Sequence, residues 1–112
     1  MIYFAAHVEG EAIYDTLDFD MREQVRFVTD GNDVLEFVVQ LEIKIDEAWA
    51  WIRRYDTMNG VAHLDVKYGD GTIDKHRAMN LPFKEAFTAA LVEIGSNWQK
   101  HRSWYLEGRR KR

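Results

Sequence analysis

Residues 34–45 read VLEFVVQLEIKI, with Leu35, Phe37, Val39, Leu41, Ile43 and Ile45 on one parity. Glu36, Gln40, Glu42 and Lys44 take the other, interrupted only by Val38. Successive side chains of a strand point to opposite faces, so this spacing predicts a long strand buried on one side and wet on the other. A strand of that kind belongs to an antiparallel sheet covered on a single face.

The flanking segments extend the sheet. QVRFVT (24–29) reads as a strand and DGND (30–33) as a turn. AWAWIRRY (48–55) alternates again, and Trp49, Trp51, Arg53 and Tyr55 share a parity. Asn59-Gly60 and Asp70-Gly71 are dipeptides favoured in two-residue hairpin turns, where positive φ is required. VAHLDVKY (61–68) and TIDKHRAM (72–79) supply the strands between and beyond them. Residues 2–8 are a candidate strand, and EAIYDTLDFDM (11–21) reads as a helical turn or an acidic loop. The expected sheet is an antiparallel β-meander of about five strands.

The period changes after Asn80-Leu81-Pro82. Asn80 reads as a helix cap and Pro82 as a first-turn residue. Phe83, Phe87, Leu91, Ile94, Trp98 and Tyr105 then form one apolar stripe along a long C-terminal helix, with Gly95-Ser96 as a place for a kink. A helix packed on the apolar face of such a sheet is an α+β domain. At 112 residues the chain holds one core, so residues 1–112 form a single domain, with 108–112 (GRRKR) as a flexible basic tail.

The turn dipeptides fix cross-strand neighbours. From Asn59-Gly60, Arg54 faces Asp65, Tyr55 faces Leu64 and Asp56 faces His63. From Asp70-Gly71, Lys67 faces Asp74, Asp65 faces His76 and His63 faces Ala78. A three-residue loop, Asp46 to Ala48, sets Ile45 against Trp49 and Val39 against Tyr55. The core face then collects Trp49, Trp51, Arg53, Tyr55, Ala62, Leu64, Val66, Tyr68 and Ile73, with Arg53 snorkelling at its edge. The opposite face collects Arg54, Asp56, His63, Asp65, Lys67, Asp74 and His76.

Histidines beside carboxylates, with cations at hand, suit general acid–base chemistry on a phosphate ester. On that reading Asp56 orients His63 as the base, Asp65 holds His76 as the acid, and Arg54 and Lys67 bind phosphate. Opposite charges across strands also stabilise a plain solvated sheet surface. Asp56, His63, Asp65 and His76 are a possible ligand set for a divalent ion, but Arg54 and Lys67 oppose a cation, so neither metal nor cofactor is expected. A second cluster, WQKHRSWY (98–105), sets His101 and Arg102 between aromatics, as in a nucleic-acid grip or in a helix with a core side and a wet side.

Composition narrows the setting. There is no cysteine, hence no disulfide and no thiolate metal site. No apolar run reaches the roughly 18 residues of a membrane span, and the start lacks the basic lead of a signal peptide. A cytoplasmic protein with no membrane partner is the expectation. Residues 1–47 carry twelve acids against three bases, and 48–112 carry seven against twelve. That asymmetry offers a basic region to an anionic partner such as RNA, or halves that neutralise each other in the fold.

The string WIRRYDTMNGVAHLD with the later LPFKEAFTAALVEIGSNW resembles the small TumE-type toxins of prokaryotic toxin–antitoxin systems and related families, over residues 49–98. The resemblance implies a compact α+β toxin acting on RNA and neutralised by an antitoxin-like protein. It points to Arg54, Tyr55, Asp56 and His63, with Tyr55 joining the substrate-binding set. Adjacent histidines and a proline-rich loop belong to the toxin pattern, where this chain has TMNG and His63. The rival reading is a binding module without catalysis, docking a protein or forming a homodimer through its polar face or an edge strand.

Overall fold

The computed structural model describes residues 7–9 and 13–110. Its elements are β1 (His7–Glu9), β2 (Ile13–Asp18), β3 (Met21–Asp30), β4 (Asp33–Ile45), β5 (Ala48–Asp56), β6 (His63–Lys67), β7 (Ile73–Ala78) and α1 (Phe83–Arg110). The strands form one seven-stranded sheet in the order β1-β3-β4-β5-β6-β7, with β2 also paired to β3. Every pairing is antiparallel. With α1 on one face this is the expected α+β meander, wider by the two short strands that share the outer edge of β3.

β2 replaces the helical turn or acidic loop expected over residues 11–21. Ile13 pairs with Val25 and Tyr14 with Gln24. An edge strand needs backbone partners on one side only, and Ile13 to Thr16 are exposed, so no alternation marks it. Of the candidate strand 2–8, residues 7 and 8 fall in β1, while 2–6 lie outside the described residues.

Two hairpins differ from expectation by one residue at the turn, and each difference is cancelled by a β-bulge. The β4–β5 loop has two residues, Asp46 and Glu47, both at positive φ (52° and 67°). Ile45 therefore pairs with Ala48, Lys44 with Trp49 and Glu42 with Trp51. An extra residue, Ile52, then restores the expected register, Leu41 with Arg53 and Val39 with Tyr55. Trp49 and Trp51 consequently lie on the face away from the helix, which corrects their placement in the core. In the β6–β7 hairpin Lys67 pairs with Ile73 and Val66 with Asp74, so Ile73 and Asp74 exchange their expected sides. Lys75 and His76 together then oppose Asp65, and His63 meets Ala78 as expected.

The core lies between α1 and the odd-numbered side chains of β4. Phe37, Val39, Leu41 and Ile43 are at most 1% exposed, as are Met21, Ala86, Ala90 and Ile94. Burying each large aliphatic or aromatic side chain here stabilises the fold by about 1.5–3 kcal/mol. The innermost line of the helix is Ala86, Ala90, Ile94, His101 and Tyr105, rotated from the aromatic stripe read in the sequence. The two alanines let the helix approach the sheet, and the larger Phe83, Phe87, Leu91 and Trp98 flank them, half-buried. Phe87 packs between Phe27 and Phe37, with ring centroids 5.6 and 5.3 Å away.

Asn80 is not the helix cap. It takes a left-handed φ of 59°, and the carbonyl of Pro82 accepts the first helical bond, from Ala86 N at 2.8 Å. The helix runs unbroken through Gly95 and Ser96, both on its exposed side. It also continues through residues 108–110, expected as a tail, and a Cβ at Gly108 would sit 3.4 Å from the Gly69 backbone.

Candidate functional site

The sheet face turned away from α1 is organised in cross-strand rows. Arg26 pairs with Val38, Val38 with Asp56, and Asp56 with His63. The next row runs Tyr14, Gln24, Gln40, Arg54 and Asp65. A third runs Thr16, Arg22, Glu42 and Trp51. The β4–β5 turn and its bulge at Ile52 thus bring Trp49 and Trp51 onto the face that carries Arg54, Asp56, His63, Asp65 and Lys67.

In the first row His63 Nε2 lies 2.9 Å from Asp56 Oδ1 and 4.0 Å from Asp65 Oδ1. Its Nδ1 lies 2.9 Å from the carbonyl oxygen of Val61. The ligand-type atoms of Asp56, His63 and Asp65 all fall within 4.8 Å of one another. All three residues are buried, at 6%, 4% and 8% exposure. The connection between β5 and β6 enforces this. Asn59 and Gly60 take the left-handed φ values of 67° and 79°. Asp56 Oδ1 accepts from Met58 N, and Thr57 Oγ1 accepts from Phe37 N, at 3.0 and 3.1 Å. A cleft of about 320 Å³ opens beside Asp56, lined also by Arg26, Val28, Glu36, Val38 and Met58.

In the adjoining rows cations lie over aromatic rings. Arg54 sits 4.2 Å and Lys67 4.5 Å from the centroid of Trp51. Arg22 lies 4.2 Å from the ring centroids of both Tyr14 and Trp49. Arg54 Nε donates to Gln40 (2.7 Å), Gln40 Nε2 donates to Glu42 (2.5 Å), and Arg22 Nε donates to Glu42 (2.6 Å). Burial, and then the charge of Arg54, holds the Lys67 ammonium below its ordinary pKa. The acids lie deepest: the Glu42 side chain is 6% exposed and that of its partner Arg22 26%. Arg54 and Lys67 are likewise half-buried above Asp56 and Asp65 in exposure.

Tyr55 is not part of this face. It lies under the helix, 5% exposed, and its hydroxyl donates to Glu93 Oε1 at 2.7 Å. Burial and that bond push its pKa up to about 12. Arg53 Nε donates to the same oxygen at 2.8 Å, and His101 Nε2 and Asn97 donate to Glu93 Oε2 at 2.6 and 3.1 Å. Burial pushes the Glu93 carboxyl up, but the bonds from His101 and Tyr55 and the charge of Arg53 outweigh it, and its pKa falls to about 2. His101 thus serves this buried hub. Arg102 ties the helix to Asp18 and Asp20 at 3.3 and 3.2 Å, and Trp98, His101 and Tyr105 pack inward, while Lys100 and Trp104 stay exposed. His76 belongs to β7 opposite Asp65, and its side chain lies outside the described residues. Asp74 pairs instead with Arg77.

Sequence reasoning placed Gln40 and Glu42 on the wet parity but missed Arg22, Trp49 and Trp51 as members of the open face, and Glu93 as the centre of the hub. Two signals pointed to them. Ile52 is apolar on the polar parity of its strand, the mark of a bulge, and Arg53 on the inward parity requires a buried acid.

These features define a class: a small α+β domain with a roofed apolar sheet face and a chemically differentiated open one. Residues 8–111 match the family described as Domain of unknown function (DUF7718), and the chain belongs to that family. No curated protein and no solved structure matches it. No helix among the described residues is long and apolar enough to cross a membrane.

Proposed function

We propose that the open sheet face binds single-stranded RNA in the cytoplasm. The supporting observation is the pair of cations, Arg54 and Lys67, held over the Trp51 ring in a layer outside the buried acids. Cations in such a layer neutralise phosphates, and Trp49, Trp51 and Tyr14 offer faces on which bases stack. Burial, and then the charge of Arg54, holds Lys67 below its ordinary pKa, and an arriving anion would offset the second of these. His63 faces oxygen acceptors with both ring nitrogens and is 4% exposed, so we assign this face binding rather than proton transfer. A toxin restrained by an antitoxin-like protein is the biological setting that the Arg54–Asp56 motif suggests, and the same face would receive that protein.

Fluorescence anisotropy with a short labelled single-stranded RNA, in EDTA at low salt, tests the proposal. Arg54→Ala and Lys67→Ala should each weaken binding about tenfold, and Trp51→Ala should cost about 1–3 kcal/mol. Absence of binding by the wild type, or variants indistinguishable from it, would remove the proposal. The same mixtures run on a denaturing gel report cleavage. Cleavage by the wild type that His63→Ala abolishes would replace binding with catalysis.

A further inference from the structure

We propose that Asp56, His63 and Asp65 bind one divalent first-row transition ion. The proposal stands apart from the RNA reading, since it requires no nucleic acid. Its basis is the orientation of His63. With Nδ1 2.9 Å from the carbonyl oxygen of Val61, that nitrogen donates to the backbone, and Nε2 faces the two carboxylates, where an ion would displace its proton. A backbone carbonyl that fixes the Nδ1–H tautomer and aims Nε2 is the arrangement metal-ligating histidines use.

The geometry around Nε2 agrees. Asp56 Oδ1 and Asp65 Oδ1 lie 2.9 and 4.0 Å away. Ligand atoms bonded at ~2.1 Å to a common ion lie about 3.0–3.4 Å apart in octahedral or tetrahedral order. Asp56 and His63 already match that spacing, and rotation of the Asp65 carboxylate closes the remainder. Charge agrees as well. Two carboxylates withdrawn from water suit a divalent ion that takes the place of the Nε2 proton. Arg54 and Lys67, which argue against a cation at the level of sequence, lie over Trp51, and Arg54 Nε is directed to Gln40.

The donor set selects the ion. One imidazole with two carboxylates, in a chain without cysteine, suits Zn²⁺ or Mn²⁺ and disfavours soft ions that require sulfur.

Full-length protein stripped with EDTA and dialysed would be titrated with Zn²⁺, then with Mn²⁺, by calorimetry. The expected result is one equivalent per chain for at least one of them, with a higher unfolding temperature in its presence. Asp65 is outside the clamp that Asp56 forms on the turn, so Asp65→Asn is the first variant. It should retain the metal-free unfolding temperature and bind at least about tenfold more weakly. Failure of both ions to bind stoichiometrically, or equal binding by Asp65→Asn, overturns the site. If Asp65→Asn does not fold, nitrogen NMR of wild-type His63 decides. The ion should move the Nε2 resonance and leave Nδ1 protonated, and unmoved resonances overturn the proposal.

Discussion

Glu93 accepts from two strand residues through one oxygen and from two helix residues through the other. It therefore couples β5 to α1 by charge as well as by packing. Its pKa drops from an ordinary 4.5 to about 2 in the fold, so its stabilisation is complete above pH 4.5 and is lost as pH falls toward 2. A shift of that size corresponds to roughly 3 kcal/mol. Urea unfolding at pH 7 and near pH 3 should show this loss in the wild type, and Glu93→Gln should be weaker at pH 7 with a smaller loss on acidification. Tyr55→Phe removes one charged hydrogen bond and should cost about 1.5–3 kcal/mol at pH 7. An unchanged unfolding midpoint in either variant would contradict the hub.

At the scale of elements, the β4–β5 turn carries a removable strain. Asp46 and Glu47 both occupy the left-handed region, where a side chain costs roughly 1–2 kcal/mol. Asp46→Asn with Glu47→Gly, the residues such a turn prefers, should raise stability by about 1 kcal/mol in chemical denaturation. The Lys44–Glu47 ion pair given up is 3.5 Å long with Glu47 91% exposed, and contributes little. This turn also explains what the sequence revealed and what it hid. Pairing of Arg54 with Asp65 and Asp56 with His63 was legible because Asn59-Gly60 announces its turn by composition. Asp46-Glu47 makes a two-residue turn with residues that do not announce it, whereas Asn59-Gly60 closes a 3-10 turn within a longer connection that keeps the expected register. In AWAWIRRY the aromatic parity continues unbroken across Ile52, so alternation alone puts Trp49, Trp51 and Tyr55 together. The helix was legible as an element, but its inner line was not, because Ala86 and Ala90 win the centre by smallness rather than hydrophobicity. Glu93 and His101 were hidden because their partners, Arg53 and Tyr55, are distant in sequence.

The whole molecule is elongated, 57 × 28 × 21 Å, with a radius of gyration of 15.2 Å against about 13 Å for a compact chain of this length. One helix cannot cover a sheet this wide, so the molecule presents two unlike surfaces. Its formal charge of −4 gives RNA no general attraction, and binding must come from the local cations. If Arg54 and Lys67 each neutralise one phosphate, affinity should fall with salt at a log–log slope of about −1.4, and at about −0.7 in Lys67→Ala. A steeper slope unaffected by that substitution would place the contact elsewhere. The bulge at Ile52 has a further consequence, in the terms of inheritance. A substitution between Ala48 and Arg53 alters one side chain. Gain or loss of a single codon there inverts half a strand, turning both tryptophans beneath the helix and stripping the open face of its rings. In this segment the fold depends more on the count of residues than on the identity of most of them.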